Sequence, residues 1–199
     1  MNLRDDLEHL QWIQLQHDKA YHSDIWCLTV QTRIKHMVLH LAKYSSQLTV
    51  ASIKNDALTC QKNLLDTVII CTSISNILNV SIYEKLAAQF TLVSTRVSEL
   101  PAELSTFLNR SDNDLEAICE FSSKVALLCK AIESTDHFEA YQSRDVIVNA
   151  VESLWVLSLQ ELNHIDPDKS LTAEISNRLY TVEKKNIHFS KMGNYKDGF

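Results

Sequence analysis

Residues 1–192 contain no glycine; the two glycines of the chain, Gly193 and Gly198, stand in its last seven residues. Phosphate-cradling loops, dinucleotide fingerprints and nucleophile elbows all require glycine, because their backbones adopt positive φ or approach a ligand too closely for a Cβ. None can be written here. Two-residue hairpin turns want glycine for the same reason, so a strand-rich fold is disfavoured and an all-α fold is predicted. The only prolines are Pro101 and Pro167. With 199 residues and 45% hydrophobic side chains, the chain can bury a sizeable core without metals or disulfides, as one domain or two small ones.

Charge narrows the partners. The formal net charge is −6; residues 1–100 carry 9 basic and 9 acidic side chains, and residues 101–199 carry 10 and 16. Neither half is a basic platform, so nucleic acid is not expected as a partner. No apolar run has the ~20 residues that span a bilayer, and Met1–Asp6 does not read as a secretory leader, so no membrane partner and a cytoplasmic location are expected. The five cysteines form no Cys-x-x-Cys pair. Cys71, Cys119 and Cys129 sit among apolar neighbours and read as small buried hydrophobes.

Helical periodicity runs through nearly everything. The spacing predicts helices over 3–20, 30–46, 56–79, 82–98, 113–133, 138–163 and 167–186, with a further short helix started by Pro101. Thr29 or Thr32 and Ser81 are expected N-caps, with Asp166 capping a last helix opened by Pro167. Residues 21–28, 47–54, 109–113 and 134–136 read as connectors, and residues from 184 onward as a polar tail. Trp12, Trp26 and Trp155 are expected to pack.

The two halves resemble each other: short helix, loop, helix, loop, long apolar helix, tight turn, amphipathic helix. Leu86, Ala88 and Val97 align with Leu171, Ala173 and Val182 at a constant offset of 85. The reading is a tandem duplication of helical units over 1–99 and 100–186, with a tail over 187–199, packed as a pseudo-two-fold bundle.

This unit, with its Ile165-Asp166-Pro167 turn and the helix ending Asn177-Arg178-Leu179-Tyr180-Thr181-Val182-Glu183-Lys184-Lys185, resembles the MazG-like all-α nucleoside triphosphate pyrophosphohydrolases. The resemblance implies E-x-x-E on one helix and E-x-x-D on the next, a carboxylate cage for Mg²⁺ that activates water against a triphosphate. In the first repeat these slots are His40-Leu41-Ala42-Lys43 and Asn63-Leu64-Leu65-Asp66, with nineteen residues between them. In the second they are Glu120-Phe121-Ser122-Ser123 and Val148-Asn149-Ala150-Val151, with twenty-four between them. Of eight acidic positions only Asp66 and Glu120 remain acidic. One carboxylate does not replace four around a hard cation, so loss of the standard Mg²⁺-dependent reaction is expected in both repeats.

The first repeat keeps chemistry nonetheless. His36, His40 and Lys43 fall on one helical stripe beside Tyr44, and the family packing would set Asn63 and Asp66 opposite them. One reading is a converted pocket in which Lys43 and a histidine bind a nucleotide or another phosphorylated small molecule without metal. A second takes His36 and His40 as transition-metal ligands, with Asp66 or His22 as the third. A third is a polar seam in which these groups satisfy one another. Glu116, Glu120 and Lys124 read as a surface ion-pair face. Three functions stay open: an inactive relative binding a phosphorylated ligand at His36, His40, Lys43, Asn63 and Asp66; a structural or protein-interaction bundle; and an active hydrolase whose atypical cage uses Asp24, Asp66 or Glu120, with Mg²⁺ as cofactor. Either a monomer or a homodimer is compatible with an internal duplication.

Overall fold

The computed structural model describes residues 2–107, 114–137, 139–140 and 142–191, with backbone alone at 114 and 185–191. The described residues are all-helical: α1 Leu3–Tyr21, α2 Ser23–Trp26, α3 Val30–Ile53, α4 Ala57–Ile77, α5 Ile82–Gln89, α6 Leu100–Phe107, α7 Asp114–Asp136, α8 Ser143–Ile165 and α9 Leu171–Lys191, with a 3₁₀ turn over Val97–Glu99. No single described helix is long and apolar enough to cross a membrane.

Four long helices form the centre. α3 packs on α4 and α7, and α8 packs on α4 and α7, so the order around the bundle is α3, α4, α8, α7. Cross-links fix the directions. Lys35 reaches Asp136 and Ser45 reaches Ser122, so α3 and α7 run antiparallel. Trp155 reaches Thr72 and Arg144 reaches the Leu78 carbonyl, so α4 and α8 do too. α1 lies across α4, α5 and α9, and α6 lies on α8. A continuous hydrophobic cluster runs from Leu7 through Leu41, Val68 and Ile74 to Leu128, Leu154 and Leu159. It joins the two halves, because α4 is buried on nearly every side and needs α8 as well as α3 to cover it.

The two tightest turns work without glycine. Asn55 and Asn79 take φ of 54° and 53°, the left-handed conformation that asparagine tolerates best among residues with a Cβ. Each closes a Schellman turn: the Asp56 amide donates to the Ala51 carbonyl and the Val80 amide to the Ser75 carbonyl, both at 2.9 Å. Asp56 then caps α4 and Ser81 caps α5, while Thr29 caps α3.

Several sequence expectations need correction. Residues 47–53 continue α3, because Leu48 and Ala51 bury against the bundle and outweigh the weak helix propensity of the neighbouring Ser, Thr and Val residues. The helix expected over 82–98 stops at Gln89, and the following chain is held by side chains: Glu103 accepts from the Val93 and Ser94 amides, and Glu99 from Thr95 and Arg96. α7 runs through Asp136, absorbing the expected loop at 134–136. α8 begins at Ser143, α9 begins at Leu171, and Asp166 closes α8 instead of capping α9. α9 continues to Lys191, so the tail expected from 184 is helical over its first part. Cys71 is buried as expected, but Cys119 and Cys129 are exposed. Trp155 is buried and donates to Thr72, whereas Trp12 is largely exposed and Trp26 carries Arg33 over its ring. The expected break at 109–113 lies outside the described residues.

Candidate functional site

The stripe expected on α3 forms a relay of hydrogen bonds. An ammonium has no lone pair, so Lys43 Nζ must donate to His40 Nδ1, 3.2 Å away. That leaves the His40 proton on Nε2, which donates to His36 Nε2 at 3.2 Å. The network thus assigns both tautomers. Burial, then the Lys43 charge, then His36 lower the His40 pKa to about 4. Burial also lowers that of His36. Both rings are neutral at pH 7. Tyr44, buried beneath the Lys43 ammonium, has its hydroxyl pushed up to about 12 by burial and then by Asp66.

Asp66 does not face this relay with a free carboxylate. Arg178, from α9, forks onto it, with Nε to Oδ1 at 2.5 Å and a terminal nitrogen to Oδ2 at 2.8 Å. The pair is largely buried, and it raises the Arg178 pKa. Arg178 was legible in the sequence only as part of the last helix; its pairing with Asp66, 112 residues away, needs the tertiary fold.

Asn63 is buried, and its amide donates to the Thr59 carbonyl of its own helix at 2.9 Å. Its Oδ1 is sealed from solvent with no partner. The residue lines a cleft of about 330 Å³ between α3 and α4, with Gln47, Lys54, Asp56, Thr59 and Lys62. Lys43 stands one turn along α3 from Ser46 and Gln47 of this cleft, on the same helix face. Among the described residues none of Lys43, Lys54 and Lys62 forms an ion pair with a carboxylate.

Glu120 lies on α7, exposed, 3.9 Å from Lys124 in the expected i, i+4 pair, and Asp66 lies on α4 under Arg178. Among the described residues no three His, Cys, Asp or Glu side chains are placed to hold a metal ion. For Mg²⁺ the donor set does not fit: the one acidic residue in the motif slots of the first repeat, Asp66, already shares both oxygens with a guanidinium. For a transition metal, the Nε2 proton of His40 and the Lys43 ammonium oppose chelation by the histidine pair.

A second polar layer lies between α1 and α9. On α1, Gln14 holds the buried Asp18 at 2.7 Å, and burial raises the Asp18 pKa. His17 is buried beside it, with its pKa lowered by burial and Nε2 4.0 Å from Glu183 of α9. Gln11, unremarked in the sequence, ties α1 to the α4–α5 turn through Asn76, the Val80 carbonyl and the Ile82 amide. Comparison with protein-family models, curated proteins and solved structures returns no match.

Proposed function

We propose that the chain is a non-catalytic, MazG-related bundle that binds a nucleotide or another phosphorylated small molecule in the α3–α4 cleft of its first repeat. The observation that carries this reading is the cleft itself. The buried, unpartnered Asn63 Oδ1 lies beside Lys54 and Lys62, neither of which forms an ion pair among the described residues; Asp56 is the carboxylate of the same lining, and Asp66 is committed to Arg178. A phosphate supplies an anion for Lys54 and Lys62, and Lys43 stands one turn along α3 from the same cleft. Hydrolysis is not part of the proposal, because the sequence slots for a cation cage hold His40, Lys43 and Asn63 beside Asp66. The antiparallel pairings of α3 with α7 and of α4 with α8 favour the pseudo-two-fold duplication. The α4–α5 and α8–α9 turns nonetheless differ in backbone, at Asn79 and Asp166.

The test is a pyrophosphate-release assay over ribo- and deoxyribonucleoside triphosphates with Mg²⁺ and Mn²⁺, beside thermal shift with the same ligands. The expected result is no turnover with a ligand-dependent rise in Tm that Lys43→Glu and Lys62→Glu remove. Turnover lost in Asp66→Ala overturns the reading in favour of a live hydrolase. A second reading, a protein-interaction bundle, is favoured by Ile53 and Leu58, 71% and 77% exposed at the α3–α4 end. No response to any nucleotide, with a partner lost in Ile53→Asp, would put that reading first.

A further inference from the structure

We propose that α5 is a pH-dependent lid over the groove between α4 and α8, held down while Glu152 keeps its proton and lifted when that proton leaves. Glu152 stands on α8 and is 9% exposed. Both its carboxyl oxygens are cut off from water without a hydrogen-bond partner. It lines a cavity of about 20 Å³, room for about one water, with Ser75 of α4, Trp155 of α8, and Ile82, Lys85 and Leu86 of α5. α4 and α8 belong to the central bundle, so α5 is the outer wall of this cavity. The cavity shares no lining residue with the α3–α4 cleft.

The surroundings offer a carboxylate little. Ser75 donates its hydroxyl proton to the Cys71 carbonyl at 3.0 Å, and Trp155 its indole N–H to Thr72 at 3.3 Å. Among the described residues lining the cavity, Lys85 is the one other ionisable group, and its ammonium stands 3.4 Å from Asn149 Oδ1. Further out, Arg144 of α8 binds the Leu78 carbonyl, and Arg4 of α1 pairs with Glu84 of α5. Burial raises the Glu152 pKa against the weaker pull of Lys85. α5 is the element able to yield. It has eight residues, buries only Ile82 and Leu86, and passes at Phe90 into extended backbone. α4 and α8 each bury twelve residues. With α5 lifted, water reaches the carboxyl and its pKa returns to the ordinary glutamate range. The closed form therefore binds the proton more tightly, so low pH holds α5 down. Between the ordinary and the raised value, opening grows by up to about tenfold per pH unit.

The experiment is amide hydrogen exchange of the full chain, read by NMR between pH 4.5 and 8.5 as protection factors, which remove the intrinsic pH dependence of exchange. The amides of 85–90 should lose about tenfold or more of their protection as pH rises, ahead of those of α4 and α8. Glu152→Gln, close in shape and unable to ionise, should make α5 protection independent of pH. Lys85→Met removes the cation that faces the carboxyl and should enlarge the loss. Should the Gln variant fail to fold, titration of the Glu152 carboxyl carbon in the wild type decides the point, and a midpoint in the ordinary glutamate range overturns the proposal. So does α5 protection that stays level in the wild type, or that falls equally in Glu152→Gln. Protection that rises with pH, the mark of Lys85 turning inward to pair with the carboxylate, also overturns it, as does a fall shared equally by α4 and α8.

Discussion

His40 shows how one side chain's neighbours set its chemistry. It is half-buried, takes a hydrogen bond from Lys43 and gives one to His36. With its folded pKa near 4 against an ordinary 6.5, it contributes stability above pH 6.5 that is lost as pH falls through 4. NMR titration should show a neutral ring down to about pH 4, and His40→Asn should lose less Tm than wild type across that window. Glu152 has the opposite sign. Both its oxygens are sealed without a partner on α8, and burial raises its pKa. The stability linked to its proton is present below the usual glutamate range and declines as pH rises through the raised folded value. Glu152→Gln should therefore raise Tm by several degrees at pH 8 and by less at pH 4.5, measured by calorimetry. The stripe of His36, His40 and Lys43 was legible from i, i+4 spacing alone. The unpartnered state of Glu152 was not, because one sequence does not show which face α8 turns toward α5.

At the scale of elements, the Asp66–Arg178 fork ties α9 to α4. Removing one partner leaves a charge stranded in a largely buried place, so Arg178→Leu should cost about 2–4 kcal/mol in chemical denaturation. Asp66→Leu together with Arg178→Leu should recover most of that loss, and hydrogen exchange in α9 should rise in the single variant only. Helix existence was legible almost everywhere from apolar period. Helix ends were less so. The Ser, Thr and Val residues at 49–52 looked like loop because propensity is weak evidence where Leu48 and Ala51 bury against neighbours. The stop at Gln89 was hidden because Glu99 and Glu103 satisfy the amides of the irregular segment, a tertiary solution to a backbone problem. Asn55 and Asn79 supply the left-handed turn positions in a stretch without glycine.

For the whole molecule, one core runs through both halves, and α8 covers the face of α4 that α3 leaves open. Unfolding should be a single cooperative transition, and a chain ending at Phe107 should show no cooperative melt by circular dichroism, because α4 would expose the surface that Trp155 covers. The all-α class followed from the missing glycines. The bundle order α3, α4, α8, α7 did not, since any set of amphipathic helices could be arranged several ways. The candidate site was half legible: its histidines and Lys43 were found by spacing and Asn63 and Asp66 only through the family resemblance, whereas Arg178, Lys54 and Lys62 join it only through packing. The most direct test of the account is calorimetric titration of a nucleoside triphosphate in the presence of EDTA, comparing wild type with Lys43→Glu/Lys62→Glu. Binding that survives chelation and weakens by about a hundredfold in the double variant is the predicted result, each reversed charge costing about tenfold. Binding that appears only with added Mg²⁺, or is indifferent to both lysines, would contradict it.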